Sequence, residues 1–214
     1  MTWPSLAERR AESDRKYLAD PERFAGAPST FSAWALERID RLGPSLEILE
    51  LGCGPGRDSR ALASAGHRVR AVDHSRVAIE RARAFPGNPP NLRFEQRDAE
   101  SALRATATAS VDAVYAHALY MMFSGAEMER LLAEVRRAVR PGGLHLFAVR
   151  SVSDPHAGLG TEIERDVYLG GPHVTPVRYY RAEGVDAMAE RGFLLVDAQF
   201  VPELHLYFVC HRRP

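Results

Sequence analysis

The run Leu46-Glu47-Ile48-Leu49-Glu50-Leu51 is short and rich in β-formers, and it meets glycine at once in Gly52-Cys53-Gly54-Pro55-Gly56. Arg57–Ala65 then reads as a helix ended by Gly66. Glycines at alternate positions let the backbone turn sharply and approach a ligand closely, and the helix that follows points its N-terminus at the same place. The alternation continues. Spacing predicts a second strand over 67–72, a helix over 75–84, a third strand over 91–96 and a fourth over 111–116. Met128, Leu131, Leu132, Val135 and Val139 share one face of a helix over 126–140, which Pro141-Gly142-Gly143 ends before a fifth strand over 144–149. A helix over 181–191 and strands over 193–200 and 204–210 follow, whereas residues 99–110 fit neither period. Upstream, Phe31 to Leu42 reads as an amphipathic helix.

Strands alternating with helices imply an α/β three-layer sandwich around a mostly parallel seven-stranded sheet, here with an antiparallel C-terminal strand. Such sheets bind ligands beyond the carboxyl ends of their strands, near the point where strand order reverses. Chemistry is therefore expected just after residues 51, 72, 96, 116 and 149.

Composition narrows the functions. The 214 residues carry Lys+Arg 28 against Asp+Glu 28, so a partner that demands a basic surface, nucleic acid or an anionic membrane, is not expected. Lys16 is the sole lysine, which removes a P-loop and a buried Schiff-base lysine. Two cysteines, Cys53 and Cys210, exclude a disulfide framework, and the eight histidines show no tight metal-ligand spacing. The first residues lack an apolar core of signal-peptide length and no 18-residue apolar run occurs, so the expected home is the cytoplasm. Asn88-Pro89-Pro90-Asn91 reads as a Pro-rich turn.

The loop also discriminates between cofactors. In the dinucleotide fingerprint G-x-G-x-x-G/A the last residue is small so that helix and strand pack closely. That position here is Arg57. The pattern G-x-G-x-G resembles instead the first motif of class I S-adenosylmethionine-dependent methyltransferases, and Glu50 matches the acidic residue of that motif. Asp73, ending the second strand, stands where a carboxylate accepts ribose hydroxyls. Arg97-Asp98-Ala99 follows the third strand, where this family sets an acidic residue against the adenine amino group, and Pro141-Gly142-Gly143 is its usual helix-to-strand turn. The resemblance implies a Rossmann-like fold and S-adenosylmethionine as cofactor, with S-adenosylhomocysteine as product. It implies a cofactor site drawn from Glu50, Gly52, Gly54, Gly56 and Arg57, from Asp73 and His74, from Asp98 and Ala99, and from Ala116 and His117. Within the superfamily, Leu51 to Ser59 with Ala65-Gly66-His67-Arg68-Val69, and later Arg178-Tyr179-Tyr180, is most similar to tellurite-resistance-type and thiopurine-type enzymes.

Residues 1–214 are expected to form one domain: a helical cap over 1–45, a cofactor half over 46–149, and an acceptor loop with the C-terminal strands over 150–214. Tyr17, Phe24 and Phe31 either fold over the cofactor as a cap or are ordinary core. His117 follows the fourth strand beside the expected methyl position, as a base, an acceptor contact or a packing residue. The segment Arg150 to Tyr180 far exceeds the usual 2–6 residues and reads as a binding loop. In it Arg178 suits an anionic acceptor, with His173 a second candidate. The expected partner is a small-molecule acceptor (a thiol, chalcogen oxyanion, amine or hydroxyl), the protein being a monomer or homodimer. Two alternatives stand: a non-catalytic S-adenosylmethionine-binding protein, and an NAD-dependent oxidoreductase.

Overall fold

The computed structural model describes residues 3–24, 26–189 and 192–214. Two helices lead, α1 (Leu6–Ala19) and α2 (Thr30–Ile39). Then come β1 (Glu47–Leu51), α3 (Arg57–Ser64), β2 (Arg68–Asp73), α4 (Arg76–Ala84), β3 (Leu92–Gln96), α5 (Ala99–Arg104), β4 (Val111–His117), α6 (Gly125–Ala138) and β5 (Val139–Arg150). The rest holds β6 (Thr161–Glu164), β7 (Val167–Gly170), β8 (His173–Arg178), α7 (Ala182–Ala189), β9 (Leu194–Val201) and β10 (Leu206–Arg212).

Seven strands form one sheet in the order β3-β2-β1-β4-β5-β10-β9. Pairings are parallel from β3 to β5, and β10 runs antiparallel to both its neighbours. Strand order reverses between β1 and β4, so the loops after these two strands open a crevice at the carboxyl edge. Alternate residues face opposite layers. Ile48, Ala113 and Tyr115 pack with α2, α3 and α4, whereas Leu49, Val114 and Ala116 pack with α5, α6 and α7. Both faces are covered, which is why the strands read as nearly continuous apolar runs.

The structure decides two points that the sequence left open, residues 99–110 and Phe31, and corrects a third, the segment after β5. Residues 99–104 form a helix because Asp98 caps it, its Oδ1 accepting the Ser101 N–H at 2.9 Å. The stretch from Arg150 to Tyr180 is not a loop throughout; it contains a separate antiparallel sheet, β6-β7-β8. Gly170 and Gly171 both have positive φ (89° and 59°), the conformation a tight hairpin turn needs between Val167-Tyr168-Leu169 and the β8 residues. Phe31 is core, fully buried and stacked on Tyr115 at 4.9 Å. The helix expected over 181–191 is seen from Ala182 to Ala189, and positions 190 and 191 lie outside the described residues.

Candidate active site

A cavity of about 1180 Å³ opens over the reversal point. Its floor carries Gly52 and Gly54 after β1, Asp73 and His74 after β2, Asp98 and Ala99 after β3, and His117 at the end of β4. Its roof is α1 with the segment before it, and one side is the small sheet, through His173, Thr175 and Val177. The roof is built on its own cap and fastened to the body at two points. Ser5 and Glu8 form a capping box that starts α1. Asp14 accepts from the Ser75 hydroxyl (2.5 Å) and the Val77 N–H (3.2 Å), and Arg9 pairs with Glu127 at 2.7 Å.

The glycine loop is shaped by bonds within the protein. Gly52 and Cys53 both donate to the Val72 carbonyl, at 2.8 and 3.0 Å. Asp73 reaches back to the loop: its Oδ2 accepts the Gly54 N–H (2.9 Å) and its Oδ1 the Ser75 N–H (2.8 Å). A carboxylate has about four acceptor positions, so the buried Asp73 keeps capacity for ligand hydroxyls. Burial raises its pKa while neighbouring His74 opposes that, and burial in turn lowers His74. At Gly54 a Cβ would lie 2.8 Å from the Tyr17 hydroxyl, so the roof rests directly on the loop. At Gly56 (φ +83°) it would lie 2.5 Å from the Phe94 ring. That third glycine serves packing, and it does not line the cavity.

Glu50 is buried, with Ser59 Oγ 2.5 Å from its Oε2. Burial, reinforced by the charges of Asp58 and Asp73, pushes its pKa up to about 8. Arg57 lines the cavity with its guanidinium 5.1 Å from the Phe24 ring centre. Tyr17 and Phe24 line it as well. Ala116 is fully buried in the core and is not part of the wall.

Asp58, in the first turn of α3, is the group that sequence reasoning passed over. It is 3% exposed and gathers four contacts. Its Oδ1 accepts the Ser29 N–H at 2.7 Å; its Oδ2 accepts the Ser29 hydroxyl and the Tyr115 hydroxyl, each at 2.8 Å, and lies 3.0 Å from His117 Nδ1. Burial works to raise its pKa, but the hydrogen bond and charge of His117 and the bonds from Ser29 prevail and hold it at about 2. Helix α2 makes this possible, because its N-cap Ser29 faces Asp58 while Phe31 packs against His117, with ring centres 5.4 Å apart.

On the small sheet, Thr175, Val177 and Tyr179 alternate toward the cavity, and that period of two turns Arg178 to the other face. Its Nη2 pairs with Glu164 Oε2 at 2.6 Å, and Glu164 also accepts from Trp3 Nε1 at 3.0 Å. Arg178 is thus a fastener between the sheet and the N-terminal segment. His173 does line the cavity, its Nε2 3.0 Å from the Tyr179 hydroxyl. Among the described residues no group of three or more His, Cys, Asp or Glu is placed to hold a metal ion, and no helix is long and apolar enough to cross a membrane.

A glycine loop at the strand reversal, a carboxylate ending β2 and a further acid after β3 thus share one crevice, the arrangement implied by the resemblance to class I S-adenosylmethionine-dependent methyltransferases. Residues 48–143 match the family described as a methyltransferase domain. Trans-aconitate 2-methyltransferase of Deinococcus radiodurans is 29% identical over 160 residues, 68% of this chain and 58% of that enzyme. The chain spans 39% of the length of another relative, hemagglutinin 1 of Eikenella corrodens, 29% identical over 123 residues (57% of this chain). Among solved structures, 1,6-didemethyltoxoflavin-N1-methyltransferase of Burkholderia thailandensis, bound to S-adenosylhomocysteine, gives a TM-score of 0.73 at 20% identity, covering 100% of this chain and 92% of its own. The [4+2]-cyclase SpnF gives 0.75 at 15% identity, covering 100% and 98%. These likenesses establish the fold.

Proposed function

We propose that this chain transfers a methyl group from S-adenosylmethionine to a small-molecule acceptor and releases S-adenosylhomocysteine. One observation carries the reading: the loop of Gly52 and Gly54, Asp73, Asp98 and His117 share the wall of one cavity at the strand reversal. At about 1180 Å³ that cavity exceeds the 300–1,000 Å³ usual for one ligand, leaving room for cofactor and acceptor together. In this reading Asp73 takes the ribose, Asp98 and Ala99 the adenine edge, and the backbone of Gly52 to Gly54 passes beneath the cofactor. The bound cofactor supplies an electrophilic methyl carbon. The protein has to hold the acceptor in line with it at about 3–3.5 Å and exclude water. The roof over the glycine loop and the apolar stretch Leu119, Met121, Met122 and Phe123 suit that task.

Relatives named for trans-aconitate and for 1,6-didemethyltoxoflavin favour a small-molecule acceptor over a macromolecule. The tellurite- and thiopurine-type resemblance rests on residues 51–59, 65–69 and 178–180, and of these Arg178 pairs with Glu164 and does not line the cavity. An NAD-dependent oxidoreductase is disfavoured because Arg57 opens α3 at the position where the dinucleotide turn needs a small residue. A second reading retains the cofactor without transfer; SpnF, which shares the fold, is named as a [4+2]-cyclase and not as a methyltransferase. Titration calorimetry with S-adenosylhomocysteine, then mass spectrometry of an acceptor panel with methyl-labelled cofactor, decides between them. Binding with label transfer is the expected result; no binding overturns the proposal, and binding without transfer to any acceptor favours the second reading.

A further inference from the structure

Resting on methyl transfer as read above, we propose that Asp58 is a positioning residue that holds His117 in its Nδ1-protonated form, and that the acceptor attacks through an atom that carries a proton, a hydroxyl or an N–H. An ionised carboxylate can only accept hydrogen bonds. Asp58 is buried and takes the Ser29 N–H, the Ser29 hydroxyl and the Tyr115 hydroxyl, so His117 Nδ1, 3.0 Å from its Oδ2, has to present a hydrogen as well. In the neutral ring this leaves the lone pair on Nε2, which has no protein partner among the described residues. His117 lines the cavity at the end of β4, and Phe31 packs against its ring. Arg57 Nε lies 3.8 Å from Asp58 Oδ1, on the oxygen that His117 does not use.

This arrangement serves proton removal. As the acceptor's lone pair forms its bond to the methyl carbon, the electrons of the methyl–sulfur bond stay with sulfur and the acceptor's proton passes to His117 Nε2. The imidazolium so formed faces the Asp58 carboxylate and later returns its proton to water. A thiolate or chalcogen oxyanion would need no such base. The residues that follow His117 into the wall, Leu119, Met121 and Met122, are apolar, Arg178 does not line the cavity, and of the arginines that do, Arg57 and Arg150 already face Asp58 and Asp154.

The test combines nitrogen NMR of histidine-labelled protein, with and without S-adenosylhomocysteine, and kinetics on paired acceptors: phenols, aliphatic alcohols and amines against iodide and selenite, which attack without losing a proton. His117→Gln assigns the signal. Neutral His117 should carry its proton on Nδ1 in the wild type, and Asp58→Asn should move it to Nε2. Asp58→Asn should lower kcat at least about a hundredfold while KM and S-adenosylhomocysteine affinity change little; the equivalent change in the serine-protease triad costs about 10⁴. Should Asp58→Asn fail to fold, the wild-type spectrum still reads the tautomer, and Tyr115→Phe, which leaves Asp58 three donors, should keep it on Nδ1. An Nε2 proton in wild-type His117 overturns the proposal. So does methylation of iodide or selenite with none of the hydroxyl or amine compounds turned over. Failure of the wild type to bind S-adenosylhomocysteine would instead remove the methyl-transfer reading, since the tautomer is observed without turnover.

Discussion

Two buried histidines should make this protein lose stability as the solution turns mildly acidic. His145 and His211 are both fully buried, their ring centres 5.7 Å apart, among Phe147, Phe193 and Tyr120. His145 Nε2 lies 2.7 Å from the Tyr120 hydroxyl, but His145 Nδ1 and both nitrogens of His211 have no hydrogen-bond partner among the described residues. Burial lowers the His211 pKa to about 4 and takes His145 well below its ordinary value, and the charge of His211 lowers His145 further. The unfolded chain protonates a histidine near 6.5, so between pH 6.5 and 4 it binds a proton that the folded state refuses. Stability is full above that window, falls as pH drops through it, and levels off for His211 below about 4. A shift of this size removes about 3 kcal/mol in all. Near pH 5.5, where the unfolded histidine is mostly protonated and the folded one is not, His211 alone contributes about 1.2 kcal/mol per pH unit. Replacing His211 with Phe deletes that slope and two unpartnered buried nitrogens, each costing about 1–3 kcal/mol where it stands, so the variant should match or exceed the wild type at pH 7. Urea unfolding followed by circular dichroism at several pH values from 5 to 7 measures both quantities. His145 and His74 continue to titrate in the variant, so the decisive quantity is the difference between the two slopes. Parallel slopes for wild type and His211→Phe would refute the assignment.

Three further outcomes are expected. Asp73→Ala removes the acceptor of the Gly54 and Ser75 amides, so S-adenosylhomocysteine affinity should fall at least about tenfold and stability should drop as well, each charged bond being worth about 1.5–3 kcal/mol; unchanged affinity by calorimetry would place the ribose elsewhere. Arg178→Ala breaks a half-exposed pair with Glu164, so unfolding free energy should fall by less than about 1 kcal/mol and the methylation rate by less than about fivefold; a hundredfold loss of rate would return that arginine to the acceptor site. Gly56→Ala asks for a side chain at φ +83° with Phe94 2.5 Å from its Cβ, so the urea midpoint should fall by the equivalent of about 1–3 kcal/mol, and an unchanged midpoint would mean that Phe94 yields freely.

The sequence by itself determined whatever is written in short-range pattern. Short, nearly continuous apolar runs marked all seven strands of the main sheet within about five residues, and the glycine turn located one wall of the crevice, because strand, turn and helix N-terminus are contiguous in the chain. The Gly170-Gly171 turn was equally legible as a hairpin signal, and only the length of the segment led to its reading as a loop. Side-chain direction and long-range pairing were decided by the tertiary structure. Whether Arg178 meets a ligand depends on which face of β8 it occupies, and the register of β8 against β7, Tyr168 opposite Val177 and Val167 opposite Arg178, is a property of the folded sheet. Asp58 and His117 lie at the ends of different elements, and they meet because β1 and β4 are neighbours at the reversal of strand order while α2 brings Ser29 onto the same carboxylate. No local rule links those residues, since the hydrogen bonds that fix the histidine's proton exist only once a parallel sheet has brought separate strand ends to one edge.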